Sequence, residues 1–195
     1  MSSSSPERLV TFDITLCGID ELVALRDRGV THILSLLDPG WPAPSAFSDL
    51  GGPNRLDLRF HDIIDPGDGW RAAEGEDIDR LLAFGRLLPV TGGHLVVHCQ
   101  MGISRSSAAV FLLLAQARPD RQADELLAEV VRIRPHAWPN LRIVELGDAR
   151  LDRGGALVEA AHRRYREVVA KRPEIGRAML QMGRKREVER ILSVD

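Results

Sequence analysis

Between His94 and Ala115 the chain changes character twice. His94-Leu95-Val96-Val97 is apolar and β-branched, the composition of a short strand buried inside a sheet. A polar stretch follows, His98-Cys99-Gln100-Met101-Gly102-Ile103-Ser104-Arg105-Ser106, and the residues from Ser106 to Ala115 then form a nearly unbroken apolar run that reads as a buried helix. Cys99 therefore stands where a buried strand ends and a loop opens onto a helix.

The physics of such a loop favours an anion. A turn from strand into helix leaves backbone N–H groups free, and the helix N-terminus adds roughly half a positive charge at the same spot. Gly102 permits positive φ in mid-loop, and Arg105 offers a planar fork that binds two oxygens at once, which lysine cannot reproduce. Thiols near helix N-termini and cations are biased toward the thiolate, so Cys99 is a candidate nucleophile. Ser106 can donate its hydroxyl to the sulfur, and His98 can brace the loop from behind.

Around this loop the pattern alternates. Leu9 to Gly18 reads as one or two short strands, Ile19 to Arg28 as a helix stopped by Gly29, and Thr31 to Leu37 as a buried strand. Asp38 to Asn54, rich in Pro and Gly, reads as a long irregular loop. Arg55 to Asp62 alternates polar and apolar, placing Leu56, Leu58 and Phe60 on a core face with Asp62 at the strand's end. Asp77 to Leu88 and Ala123 to Ile133 are amphipathic helices. Strand-helix-strand repetition implies α/β architecture: three layers, with a mostly parallel central sheet of four to five strands between helices.

The residues His98 to Ser106 match the His-Cys-x5-Arg-Ser/Thr signature of the cysteine-dependent protein phosphatases, and most resemble the loops of the dual-specificity phosphatases. The resemblance implies a phosphatase domain over residues 9–152, a flexible N-terminus over 1–8 and extra C-terminal helices over 153–195. It implies that Cys99 attacks phosphorus, that Arg105 and the amides of Gln100, Met101, Gly102, Ile103 and Ser104 hold the phosphoryl oxygens, and that Ser106 assists. It also implies a cysteinyl-phosphate intermediate, with no metal and no cofactor. Arg132-Ile133-Arg134-Pro135 and Trp138-Pro139-Asn140 are similar to the family's Arg-rich helix end and its Pro-Asn turn. Arg132 and Arg134 read foremost as exposed charges, with support of the loop as the alternative.

The resemblance further implies an aspartate upstream that protonates the leaving oxygen. Ligands of open α/β sheets bind beyond the carboxyl ends of the strands, which favours Asp62. Asp68 lies nearer the family's usual separation from the cysteine, and Asp65 precedes a Pro-Gly turn, so both remain alternatives. The segment from Ile63 to Trp70 has turn residues enough for a movable lid. Trp41, Trp70 and Trp138 read as packing residues before substrate contacts.

A net charge of −2 argues against a dedicated nucleic-acid binder. Two cysteines far apart, Cys17 and Cys99, suggest a reducing compartment, with Cys17 as core filling before any redox role. No run reaches membrane-spanning length and the N-terminal residues lack a signal-peptide core, so a soluble, cytoplasmic protein is expected. His162 to Ile191 holds ten basic residues against four acidic, making that segment +6 and the remainder −8. It reads as two helices packing Leu180, Val188 and Ile191 on the domain, with a partner or an acidic membrane surface as the alternatives. Gln100, Met101 and Ile103 are uncharged, unlike the lysine-bearing loops of family members acting on inositol lipids. The expected substrate is a phosphorylated protein or small phosphomonoester. A phosphate-binding module without catalysis is the alternative, and sulfur transfer on a cysteine loop is disfavoured by the cysteine-to-arginine arrangement.

Overall fold

The computed structural model describes residues 8–46, 54–67 and 69–192. Four strands, β1 (Asp13–Cys17), β2 (His32–Leu37), β3 (Asn54–Arg59) and β4 (His94–His98), form one sheet in the order β1-β4-β2-β3, every pair parallel. All five residues of β4 are buried, as expected for an apolar strand with neighbours on both sides. The sheet is thus the parallel one expected, at the lower strand count.

Among the described residues there are seven α-helices, α1 (Gly75–Gly85), α2 (Arg105–Ala117), α3 (Ala123–Ile133), α4 (Leu141–Arg150), α5 (Ala156–Lys171), α6 (Pro173–Gln181) and α7 (Lys185–Leu192); α1, α2 and α3 pack on the sheet and the others on those helices and on one another. Residues 105 to 115 of α2 are buried without exception, so this helix runs through the middle of the core, against α1, α3 and α4 and the sheet. A Phe111→Ala change there would cost about 3–5 kcal/mol.

Two expected elements take a different form. Ile19–Leu25 is a 3₁₀ helix rather than an α-helix running to Arg28. It belongs to the connection carrying the chain from β1 past β4 to β2, and 3₁₀ winding advances about 2.0 Å per residue against 1.5 for α, covering more distance with fewer residues. The tail folds as three helices, not two, because Pro173 opens α6 at its first position and Gly183, at φ 72°, separates α6 from α7. Its packing is mixed. Leu157, Ala160, Tyr165, Val169 and Val188 join the main core and Ile191 is half-buried against it, whereas Leu180 stays exposed. Among the described residues no helix is long and apolar enough to cross a membrane. Residues 1–7, Asp68 and 47–53 of the irregular loop lie outside the described residues.

Candidate active site

All four strands deliver residues to one place at their carboxyl ends. The loop after β4 is held by its carbonyls: Gln100 O accepts from Ile19 N at 3.1 Å, Met101 O and Gly102 O from Arg134 at 3.0 and 3.1 Å, Ile103 O from Trp138 N at 3.0 Å, and Ser104 O from Asn140 N at 3.3 Å. In a trans peptide each carbonyl is opposed by the next N–H, so amides 101 to 105 point away from these outer donors and into the loop's concave side. Inward-pointing amides make that concave side electropositive. Gly102 sits at φ 67°, and a Cβ there would fall 2.3 Å from the Cys17 carbonyl carbon, so only glycine lets the loop lie against the end of β1.

Cys99 is 2 % exposed, and its Sγ lies 3.1 Å from Ser106 Oγ, a hydrogen bond in which either group can donate. His98 is buried beneath the loop, and that burial pushes its pKa down to about 4, so its imidazole is neutral at physiological pH. Arg105, at the first position of α2, is 1 % exposed. Its Nη1 donates at 2.6 Å to both Asp38 Oδ1, just past β2, and Phe60 O, just past β3. Its Nε is buried with no protein partner.

Asp62 lies three residues beyond β3 and reaches the loop. Its Oδ1 accepts from Ser104 Oγ at 2.7 Å, Asn140 Nδ2 at 2.8 Å and Arg184 Nη1 at 3.2 Å. Asn140 also accepts from Ile143 N as the N-cap of α4, so the residue that starts this helix also fixes the aspartate. Asp65 is elsewhere, paired with Arg186 of α7 at 3.0 Å, and Asp68 lies outside the described residues. The segment that reads as a lid is closed at its neck, where His61 N donates to Arg71 O at 2.7 Å and Arg71 N to His61 Nδ1 at 3.0 Å, and Ile64 is buried.

Among the remaining candidates, Arg134 is not a free surface charge. It braces the loop from outside and pairs with Glu21 at 2.8 Å, whereas Arg132 pairs with Glu129 on the surface. Cys17 is core filling as expected: burial, with Glu21 nearby, pushes its thiol up to about 12. Trp138 is buried and stacked on Tyr165 with ring centres 4.5 Å apart. Trp41 and Trp70 are exposed instead of packed, Trp70 with its ring edge-on to His61. Met101 projects from the loop, 69 % exposed. The sequence reading missed Asp38, the grip of Asn140 on Asp62, and Arg184 with Glu187. Asn140 alone left a signal, as a helix-capping residue after a proline.

A cysteine in an amide bowl, an arginine with an idle donor and a carboxyl at the rim invite comparison with known folds. Human DUSP28 matches with a TM-score of 0.56 over 76 % of this chain and 97 % of its own, at 18 % identity. DUSP15 matches at 0.55 over 81 % of this chain and 95 % of its own, also at 18 % identity. The fold is that of the dual-specificity phosphatases. The Cydia pomonella PTP-2 phosphatase gives the same likeness, with a TM-score of 0.56 at 18 % identity over 73 % of this chain and 87 % of its own. No family model and no curated protein sequence matches the chain.

Proposed function

We propose that this protein is a phosphomonoester hydrolase of the protein-tyrosine or dual-specificity type, working through a cysteinyl-phosphate on Cys99. The observation that carries this reading is the 2.7 Å bond from Ser104 to Asp62, which ties a carboxyl to the same loop that holds the thiol. In the first step Cys99 Sγ forms a bond to phosphorus while the ester P–O bond breaks, and Asp62 gives its proton to the departing oxygen. Amides 101 to 105 and Arg105 Nε hold the remaining phosphoryl oxygens as charge redistributes. In the second step Asp62, now a carboxylate, takes a proton from water, whose oxygen attacks phosphorus as the P–S bond breaks. Ser106 Oγ steadies the sulfur as it leaves, and inorganic phosphate is released.

The likeness to dual-specificity phosphatases supports a phosphorylated protein as substrate, as do the exposed, uncharged Met101 and the open Trp70 ring beside His61. Turnover of an aryl phosphate in the presence of a chelator tests the reading. Cys99→Ser should abolish it and Asp62→Ala should lower it by about 10²–10⁴. Full activity in Cys99→Ser refutes the mechanism, and orthovanadate binding without any trapped phosphocysteine makes the loop a binding module instead.

A further inference from the structure

The tail sends one ion pair into the site. Arg184, in the turn leading to α7, is buried with each of its three guanidinium nitrogens donating to a protein group. Nε and Nη2 donate to the two carboxylate oxygens of Glu187 at 2.7 Å each, Nη2 also to Ser104 Oγ at 2.9 Å, and Nη1 to Asp62 Oδ1 at 3.2 Å. Glu187, itself 1 % exposed, is held by Trp138 Nε1 at 2.7 Å and Leu141 N at 3.1 Å. A pair so deeply buried is a poor way to fasten a helix, since desolvation offsets much of the attraction and apolar contacts such as that of Val188 fasten α7 without that cost. Its contacts suggest a different role. Both site residues it touches belong to the proton-transfer edge of the loop.

The hydrogen-bond directions are then determined. Ser104 Oγ accepts from Arg184, so its single proton is directed to Asp62 Oδ1. Asn140 and Arg184 donate to the same oxygen. With three donors on it Oδ1 cannot carry the acidic proton, which is confined to Oδ2. We infer that Arg184 is a positioning residue for this proton transfer, orienting the Asp62 carboxyl so that Oδ2 alone gives and later receives the proton. Burial opposes the charge on Arg184, but Asp62 and Glu187 outweigh it and keep the guanidinium protonated throughout. The C-terminal helices would thereby complete the site as well as cover the domain. This inference rests on the phosphatase reading above.

Mispositioning the acid should slow poor leaving groups more than good ones, because only the former need the proton early. The test compares kcat and KM for a series of aryl phosphates from 4-nitrophenyl to phenyl phosphate. It uses wild type, Arg184→Gln/Glu187→Gln, which keeps a neutral hydrogen-bonding pair in the buried space, and Arg184→Lys as a second variant. We expect kcat on phenyl phosphate to fall about tenfold further than on 4-nitrophenyl phosphate, with KM and orthovanadate affinity little changed. In an Asp62→Asn background the same substitutions should add no further steepening. A uniform loss across the series, steepening that persists without Asp62, or loss of folding in both variants overturns the positioning role and leaves the pair structural. Wild type that turns over none of the series overturns the phosphatase reading itself, a result separate from an unaltered leaving-group slope in an otherwise active variant.

Discussion

Two buried arginines meet the same loop, and they differ in what they leave unused. Arg184 gives its donors to Glu187, Ser104 and Asp62. Arg105 gives Nη1 to Asp38 and Phe60 O but keeps Nε buried and idle. Burying a donor without a partner costs about 1–3 kcal/mol, a deficit that persists in a fold only where something else fills it. On the phosphatase reading, a phosphoryl oxygen fills it. The guanidinium with a partner on every nitrogen organises protein groups, and on the same reading the one with an idle Nε is the one that meets a ligand.

The sharpest way to break this contrast is Arg105→Lys. A lysine keeps the charge and can reach Asp38, but it loses the planar fork and the idle Nε. On the phosphatase reading kcat should fall by about 10³, roughly 4 kcal/mol of transition-state stabilisation, while the fold survives. Retained activity would mean that the idle donor has no role in turnover. Asp38→Asn sharpens the same point more gently: it frees Nη1 of its charged partner, and a misaligned guanidinium should cost up to about 10² in kcat/KM on aryl phosphates.

The opposite arginine is tested through Glu187. Four donors converge on its two oxygens, which suits a carboxylate and not an amide, whose nitrogen would face donors of its own kind. Glu187→Gln should therefore lower unfolding free energy by about 3 kcal/mol, read from chemical denaturation. A stability change near zero would show that Arg184 is satisfied by Asp62 and Ser104 alone.

The same contrast separates what was legible in the sequence from what was not. The loop could be read because its pattern is local: cysteine, glycine and arginine fall within seven residues, and the flanking apolar runs fix strand and helix. Asp62 could be placed because strand alternation ends beside it and parallel strands share one functional edge. Asp38 follows an equally clear strand, but its pairing with Arg105 depends on β2 lying next to β4, an order the sequence does not state. Arg184 and Glu187 are one pair among the ten basic and four acidic residues of the tail, and their burial arises only when α7 folds back against α5 and its side chains reach the start of α4. The tail's break into α6 and α7 was signalled by Pro173 and Gly183, which a reading for charge passed over.

Arg134 tests the outermost layer and carries the smallest effect. It is not among the groups assigned to the phosphoryl oxygens, yet it holds the carbonyls of Met101 and Gly102 outward and thereby keeps the amides of Gly102 and Ile103 turned inward. Arg134→Met preserves the aliphatic stem and removes the donors. The two carbonyls can partly recover through water, because Arg134 is only part-buried, so the cost should be about 1–2 kcal/mol. If the amides act together with Arg105 on phosphoryl oxygens, the loss should appear as about tenfold weaker orthovanadate binding, since a peptide that rotates turns its N–H away from the bowl. Unchanged affinity with lowered stability would make the bracing a matter of folding alone, and would place the whole anion-binding burden on Arg105 and the helix terminus.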